Sequence, residues 1–300
     1  MRMGFTFNGR HSGEFGITMK TASRPVQPEV KGYKYDSPLM DGMYDFSTAN
    51  GFGRAFYKNR LFVLNLMLFA DNISELQQKI SAVSLWLCGS GELIFDDMPL
   101  IKWRACVMNG IDYAPERKGK KAILSVTFDV EPFSYAVFMP ENVILIEDEI
   151  PVCAPVLLDM GDVFVYTVNP ESDSLPVLEI INTGTWYVSP KFSMNVSGCG
   201  GVSISCGGKK LTVIGDHGAG ESFDVVIDFK NKTVTYTNGR DITCNAEGEF
   251  FELMPGVNEV TVETIWDEGA EAQAYNLNVE YEPKYMYDFD YTVWEGFCNA

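Results

Sequence analysis

Apolar and polar positions alternate along most of the chain, and the alternation predicts a protein built mainly from short β-strands. Phe5-Thr6-Phe7 runs into Asn8-Gly9, a pair that tolerates positive φ and so marks a tight hairpin. Phe15, Ile17 and Met19 alternate with Gly16, Thr18 and Lys20, which predicts a second strand. Arg24-Pro25 and Pro28 impose an extended stretch outside any ladder, and Pro38 with Asp41-Gly42 marks another turn. Arg60 to Ala70 reads as a strand. The period then changes. Leu76, Ile80, Val83 and Leu87 share one face of a helix expected over about Ile73 to Cys88, flanked by Ile73 and Trp86. Asn72 or Ser74 can cap it, with Glu75 or Gln77 as partner, and Gly89 and Gly91 end it. A helix with this stripe lies on a sheet. Strands resume at Glu92 to Phe95, and a long hairpin runs out from Ile101 to Met108 and back from Ala122 to Val130. Its connection holds Arg117, Lys118, Lys120 and Lys121, read either as a solvated tip or as a contact for an acidic neighbour.

Beyond about Pro140 the helical period disappears. Glu147-Asp148-Glu149 lies between Pro140 and Pro151, so a linker is expected over residues 141–155, between domains at 1–140 and 156–300. The second domain shows alternating strands at Leu178 to Ile181, Lys191 to Val196, Lys210 to Ile214, Phe223 to Phe229, Thr233 to Thr237, Asn258 to Ile265 and Tyr275 to Tyr281. Turns separate them at Gly207-Gly208, Asn231-Lys232, Asn238-Gly239 and Pro255-Gly256. Short strands with such turns predict a β-sandwich. The segment from Lys284 is too aromatic for a disordered tail and is expected to pack on its own domain or on a neighbour.

Composition narrows the function classes. The 300 residues suffice for two domains, and 46% hydrophobic content supplies their cores. A net charge of −18 disfavours sequence-specific nucleic-acid binding and docking on anionic lipid. The ordinary reading is a solvated acidic surface. The sharper one is a surface that faces DNA and repels it. The longest apolar run, Leu61 to Ala70, is interrupted by Asn65 and is too short for membrane insertion. Met1 to Gly4 leads straight into a strand, so no signal peptide is expected and folding in a reducing cytoplasm is. Seven cysteines without a Cys-x-x-Cys pair fit buried thiols, with Cys199 and Cys206 able to bridge across a hairpin only under oxidation.

The search for chemistry is short. His11 and His217 are the two histidines, each beside glycine or serine in a turn, and neither suggests a nucleophile–base arrangement or a zinc cluster. Gly198, Gly200 and Gly201 precede a strand rather than a helix, which reads as a tight turn and not a phosphate loop. Asp96 and Asp97 are adjacent and point apart. Asp224 and Asp228 share a face, with Asp216 and Glu221 nearby, and read as a solvent-facing acidic row. No cofactor, metal or catalytic residue is expected. Trp186, Tyr187 and Trp266 lie near turns of the second domain, where they could stack on sugar rings or pack the core edge.

Taken in order, these motifs resemble a known family. Phe7-Asn8-Gly9, Ser12, Phe15-Gly16-Ile17, Arg24-Pro25, Asp41-Gly42, Leu85-Trp86-Leu87, Gly91-Glu92-Leu93, Asp97-Met98-Pro99 and Pro132-Phe133-Ser134-Tyr135 resemble siphophage distal tail proteins. The second half is similar through Leu178-Glu179-Ile180, Asn182-Thr183-Gly184, Ile227-Asp228, Asn238-Gly239, and Phe251, Leu253, Pro255-Gly256 and Asn258. The likeness breaks at Glu141 to Ser174 and beyond Lys284. The resemblance implies an N-terminal β-sandwich with a helix and a projecting hairpin, and a galectin-like or carbohydrate-module-like C-terminal sandwich. It implies a hexameric ring at the tail tip of a phage or prophage particle, around a channel for DNA. Implied partners are the tail tube, the tail-tip hub and, on the outside, a receptor-binding protein or a host glycan. The family is not enzymatic.

Overall fold

The computed structural model describes residues 4–39, 41–50, 53–108, 110–115, 120–137, 164–168, 177–216, 222–266 and 275–287. Two compact units emerge, dividing at Val137/Phe138. Tyr285–Tyr287 cluster with the first unit, where a continuous domain over 156–300 would put them in the second. The expected linker at 141–155 lies outside the described residues.

The first unit contains β1 (Phe5–Phe7), β2 (Arg10–His11), β3 (Ile17–Ser23), β4 (Lys34–Asp36), β5 (Met43–Asp45), β6 (Arg60–Phe69), helix α1 (Ile73–Trp86), β7 (Gly89–Phe95), β8 (Met98–Val107), β9 (Asp112–Pro115) and β10 (Lys121–Ala136). Eight of these strands form one antiparallel sheet in the order β2-β1-β7-β8-β10-β6-β3, with β9 on β10. The two faces expected of a sandwich therefore belong to a single sheet. It is strongly curled. In a flat sheet β6 and β7 would lie about 14 Å apart, yet the Phe62 and Phe95 rings are 6.1 Å apart, and Phe5 of β1 meets Phe128 of β10 at 6.1 Å. Alternation drives the curl. Phe62, Leu64, Leu66 and Leu68 of β6 and Leu124, Val126 and Phe128 of β10 all point inward and are buried. Asn65, which interrupted the apolar run, points outward and bonds Thr21.

Helix α1 covers this core. Asn72 caps it by accepting from the Glu75 amide, while Glu75 accepts from Asp71. Leu76, Val83, Trp86 and Leu87 are buried, whereas Ile73, expected beside the stripe, is exposed. Two local expectations change. Phe15 sits in a 3-10 turn (Ser12–Phe15) that ends at left-handed Gly16, so the second strand begins only at Ile17. The Asp97-Met98-Pro99 turn is displaced by one residue: Asp96 and Asp97 turn the chain, and Met98 and Pro99 open β8. The returning strand of the long hairpin also continues past Val130. A bulge absorbs Pro132, and pairing resumes at Ser134↔Trp103.

The second unit contains β11 (Phe164–Val168), β12 (Val177–Asn182), β13 (Lys191–Ser197), β14 (Cys199–Cys206), β15 (Lys209–Ile214), β16 (Ser222–Asp228), β17 (Thr233–Tyr236), β18 (Ala246–Gly248), β19 (Gly256–Trp266) and β20 (Tyr275–Glu280). They form two five-stranded antiparallel sheets, β11-β20-β13-β16-β17 and β12-β19-β14-β15-β18. The core between them is aliphatic and aromatic, with Phe192, Ile204, Phe223, Val225, Val260 and Leu277 buried. The glycine-rich stretch read as a turn is mostly strand: only Gly198 turns, and Gly200 and Gly201 lie in β14. Gly201 is needed there because a Cβ would stand 2.6 Å from the Val213 carbonyl. Cys199 and Cys206 are the two ends of this one strand, about 23 Å apart at ordinary strand rise. They cannot bridge within one chain, which corrects the hairpin-disulfide expectation.

Two buried asparagines lock the β12–β19 edge. Asn258, 3% exposed, accepts from the Met254 amide and donates to the carbonyls of Met254, Gly256 and Ile180. Asn182, fully buried, accepts from Gly184 and donates to the carbonyls of Trp186 and Leu253. Each side chain closes its own turn, and Asn258 ties it to Ile180 of β12 while Asn182 ties it to Leu253, just before β19. Substituting Asn258→Leu keeps the heavy-atom branching but orphans these backbone groups, each costing about 1–3 kcal/mol. The expected outcome is a loss of about 2–4 kcal/mol in the second unit's unfolding transition, with the first unit's unchanged, read by chemical denaturation with a probe in each unit.

Candidate functional site

The motif residues of the first unit are structural locks, and each one joins segments far apart in sequence. Asn8 and Gly9 take φ of 50° and 73°, which lets Phe7 pair with Arg10 across a two-residue turn. The Asn8 amide donates to Glu92 and its side chain donates to the Ser90 carbonyl. A Cβ on Gly91 would fall 1.7 Å from the Asn8 side chain, so any larger residue there would displace Asn8 from its seat against the strand. Phe15 stacks on Trp86 at 4.3 Å, and the Trp86 indole donates to the Phe7 carbonyl. The helix, the 3-10 turn and β1 therefore share one anchor.

Arg24 makes a fork-to-fork pair with Asp97, and its guanidinium lies 4.4 Å from the Phe95 ring centre. This contact joins the end of β3, one edge of the sheet, to the β7–β8 turn, and so helps hold the curl. The Arg24 guanidinium draws the Asp97 carboxyl below the usual carboxylate range, chiefly by hydrogen bonding. Asp96, next in the turn, accepts from the Gly4 amide and meets His11 at 3.1 Å. His11 uses its other ring nitrogen to accept from Gly13. Both nitrogens thus serve the turn, and Ser12 beside it accepts from the Phe5 amide. The His11–Asp96 pair was not visible in the sequence because 85 residues separate its members.

The residue that sequence reasoning missed is Arg60. It was read only as the first residue of β6, yet it points inward in phase with Phe62 and is 2% exposed. Its Nε donates to the Pro132 carbonyl, Nη1 donates to Pro25 and Val26, and Nη2 donates to Pro132 and Met286. All five N–H groups face carbonyl oxygens. The guanidinium also lies 5.0 Å from the Trp103 ring centre. Burial lowers its pKa to about 10, so it remains charged at neutral pH. The motif prolines at 25 and 132 therefore supply carbonyls to one buried cation. The available signal was a lone arginine opening a ten-residue apolar strand. Ser134, next to this site, bonds Tyr285 by backbone in both directions at 3.0 Å, and its hydroxyl donates to Tyr287 at 3.0 Å. Tyr135 bonds Glu131 and lies under Arg104.

A third feature of this unit is the hairpin β4–β5, with Asp41-Gly42 in its turn and Gly42 at φ of 82°. Among the described residues it pairs with no other strand. Leu39 is 94% exposed, and Tyr33, Tyr35, Met43, Tyr44 and Phe46 are all exposed too.

In the second unit, Trp186 and Tyr187 meet edge to face at 5.6 Å and are half-buried, while Trp266 packs against the core. The structure does not bring the three together as one exposed platform. Pro255 and Gly256 form the turn that Asn258 closes. The acidic row is engaged locally: Asp224 accepts from Thr237, and Asp228 accepts from the Lys230 and Asn231 amides and the Asn231 side chain. Asp216 pairs with Arg240 and Tyr236. His217 and Glu221 lie outside the described residues, as do Arg117 and Lys118. Among the described residues, no three His, Cys, Asp or Glu side chains gather to hold a metal, and no helix is long and apolar enough to cross a membrane.

Comparison with known proteins agrees with this geometry. Residues 12–130 match the family model of the phage tail protein RIFT-related domain, and residues 183–285 match that of the siphovirus-type tail component, C-terminal domain. Among solved structures, the chain is similar to the SPP1 Dit (gp 19.1) protein, described as a paradigm of the hub adsorption apparatus in Gram-positive infecting phages. The TM-score is 0.62 at 13% identity, covering 95% of this chain and 99% of that one. No curated protein matches. Fold and locks thus define a structural component of a long-tailed phage, located in the virion tail. The chain belongs to the siphophage distal tail proteins.

The Arg24–Asp97 pair sets a pH dependence. A carboxyl whose folded pKa is depressed stabilises the fold above its unfolded pKa of about 4, and the contribution is lost as pH falls through the lowered folded value. Asp97→Asn is expected to cost the first unit about 1 kcal/mol at neutral pH. The difference from wild type should shrink below about pH 4. Thermal melting of both proteins across that range measures it, and a pH-independent gap would contradict the assignment.

Proposed function

We propose that six copies of this chain close into a ring at the tail tip, joining the tail tube to the host-adsorption apparatus around a channel for DNA. The observation that carries this reading is the β4–β5 arm. A two-stranded hairpin is marginal by itself in water, and this one presents aromatic and aliphatic side chains with nothing over them among the described residues. An isolated face of that kind needs a partner, and in a ring the partner is the next copy. The net charge of −18 suits a conduit for DNA, since an acidic wall offers phosphates nothing to bind. The second unit carries the adsorption partner, a receptor-binding protein or host glycan. The relative's description as a paradigm of the hub adsorption apparatus supports association with other tail components. Assembly takes place in the bacterial cytoplasm, and the role includes no catalytic step.

The arm makes the reading testable. Leu39→Asp with Tyr44→Asp places charge on an exposed surface, so the monomer's stability should change by no more than about 0.5 kcal/mol. The ring, seen by negative-stain electron microscopy and sedimentation of the concentrated protein, should be lost. A wild-type chain that stays monomeric at high concentration with its tail partners present would refute the ring. A double variant that assembles normally would remove the arm from it.

A further inference from the structure

The first unit is assembled from two stretches of chain, and the shorter one arrives last. Tyr285, 1% exposed, pairs with Ser134 through both backbone groups. Met286 gives its carbonyl to Arg60, and Tyr287 gives its carbonyl to the Ser134 hydroxyl and lays its ring 6.0 Å from Trp103. These three residues form a strap over the bulge of β10. Without it, one N–H of a buried guanidinium loses its acceptor, and two polar groups of Ser134, itself fully buried, lose theirs. Buried donors left unpaired are expensive.

The same clamp holds the root of the arm. Arg60 Nη1 binds the carbonyls of Pro25 and Val26, the segment that leads into the arm. At the root, Val30 pairs with Tyr57, the Lys31 amide donates to Phe56, and the Lys58 amide donates to Glu29. Tyr57 packs edge-on against Phe133 at 5.9 Å, one residue from both Pro132 and Ser134. One continuous set of contacts therefore runs from strap to clamp, from clamp to bulge, and from bulge to the root of the arm, all within the first unit.

We infer that the strap sets the root of the arm, so that a chain becomes able to join its neighbours only after Tyr285–Tyr287 are in place. The consequence is an order of events. The strap is made about 150 residues after Val137, on the order of 10 s later at ordinary translation rates. A chain that stops before the strap keeps a loose arm and stays out of the assembly. This rests on the ring reading above for its assembly half. The coupling between strap and arm does not.

The experiment uses the full-length chain carrying Tyr285→Ala and Tyr287→Ala, and separately Ser134→Ala, which removes only the hydroxyl's bonds. Amide hydrogen exchange is read on dilute monomer. The expected result is exchange roughly tenfold or more faster at Lys31 and Lys58 in the double variant. A smaller change in the same direction is expected in Ser134→Ala. Core amides at Leu66 and Val126 and second-unit amides at Ile204 and Val225 should stay protected, which separates loosening from misfolding. Unchanged exchange at Lys31 and Lys58 while Ser134 itself loosens would overturn the coupling. Assembly of the double variant at wild-type concentrations would overturn the competence claim. If wild type forms no ring, the exchange result still decides the coupling, and only the ring reading fails.

Discussion

A charged guanidinium in the interior of the first unit constrains more of this structure than any apolar contact. Among the described residues Arg60 pairs with no carboxylate, and the cost of burial is offset by filling all five donors with carbonyl oxygens. Those oxygens come from residues 25–26, 132 and 286, three places that the apolar pattern alone would leave independent. The cation therefore dictates where the strand bulges, where the arm departs and where the end of the chain returns. Two of its acceptors belong to prolines. Each lies where the chain has left the regular ladder, so its carbonyl is free to turn toward the cation.

The two units meet the same requirement, burying alternating strands, by different means. The first curls one sheet around its own aromatic side chains, closing it with the Arg24–Asp97 pair and covering it with α1. The second stacks two sheets and secures one edge with Asn182 and Asn258, whose amides replace backbone pairing at the turns. In both, polar residues do the specifying work. Apolar residues supply most of the burial energy, and the buried Arg, Asn and Ser decide which turns face which strands.

That distribution explains why the molecule reads as architecture rather than chemistry. His11, Asp96, Asp216, Asp224 and Asp228 all sit where a reactive site was conceivable, and each is engaged with a neighbouring amide, hydroxyl or guanidinium that shapes a turn. The apolar face of the β4–β5 arm, by contrast, stays exposed. For a tail protein, whose work is to hold other subunits, an exposed apolar surface is the expected site of action.

Much of this was legible in the residues alone. Alternation located β1, β6, β12, β13, β15, β16, β17, β19 and β20 to within a residue or two, because a half-buried strand must alternate. The capped stripe located the helix, and Asn8-Gly9 located the first turn, because left-handed conformations favour few residues. The ordered motifs pointed to the family. What the chain by itself could not show depends on contacts between distant positions. Gly200 and Gly201 looked like a turn because glycine signals flexibility locally, whereas the close approach of β15 is what requires a bare backbone there. The returning hairpin strand was expected to stop at Val130, whereas the fold carries it on to Ala136 through a bulge at Pro132. Arg60 looked like a strand boundary because charge predicts exposure, and only the tertiary structure, by bringing four carbonyl-bearing residues around it, made an inward arginine stable.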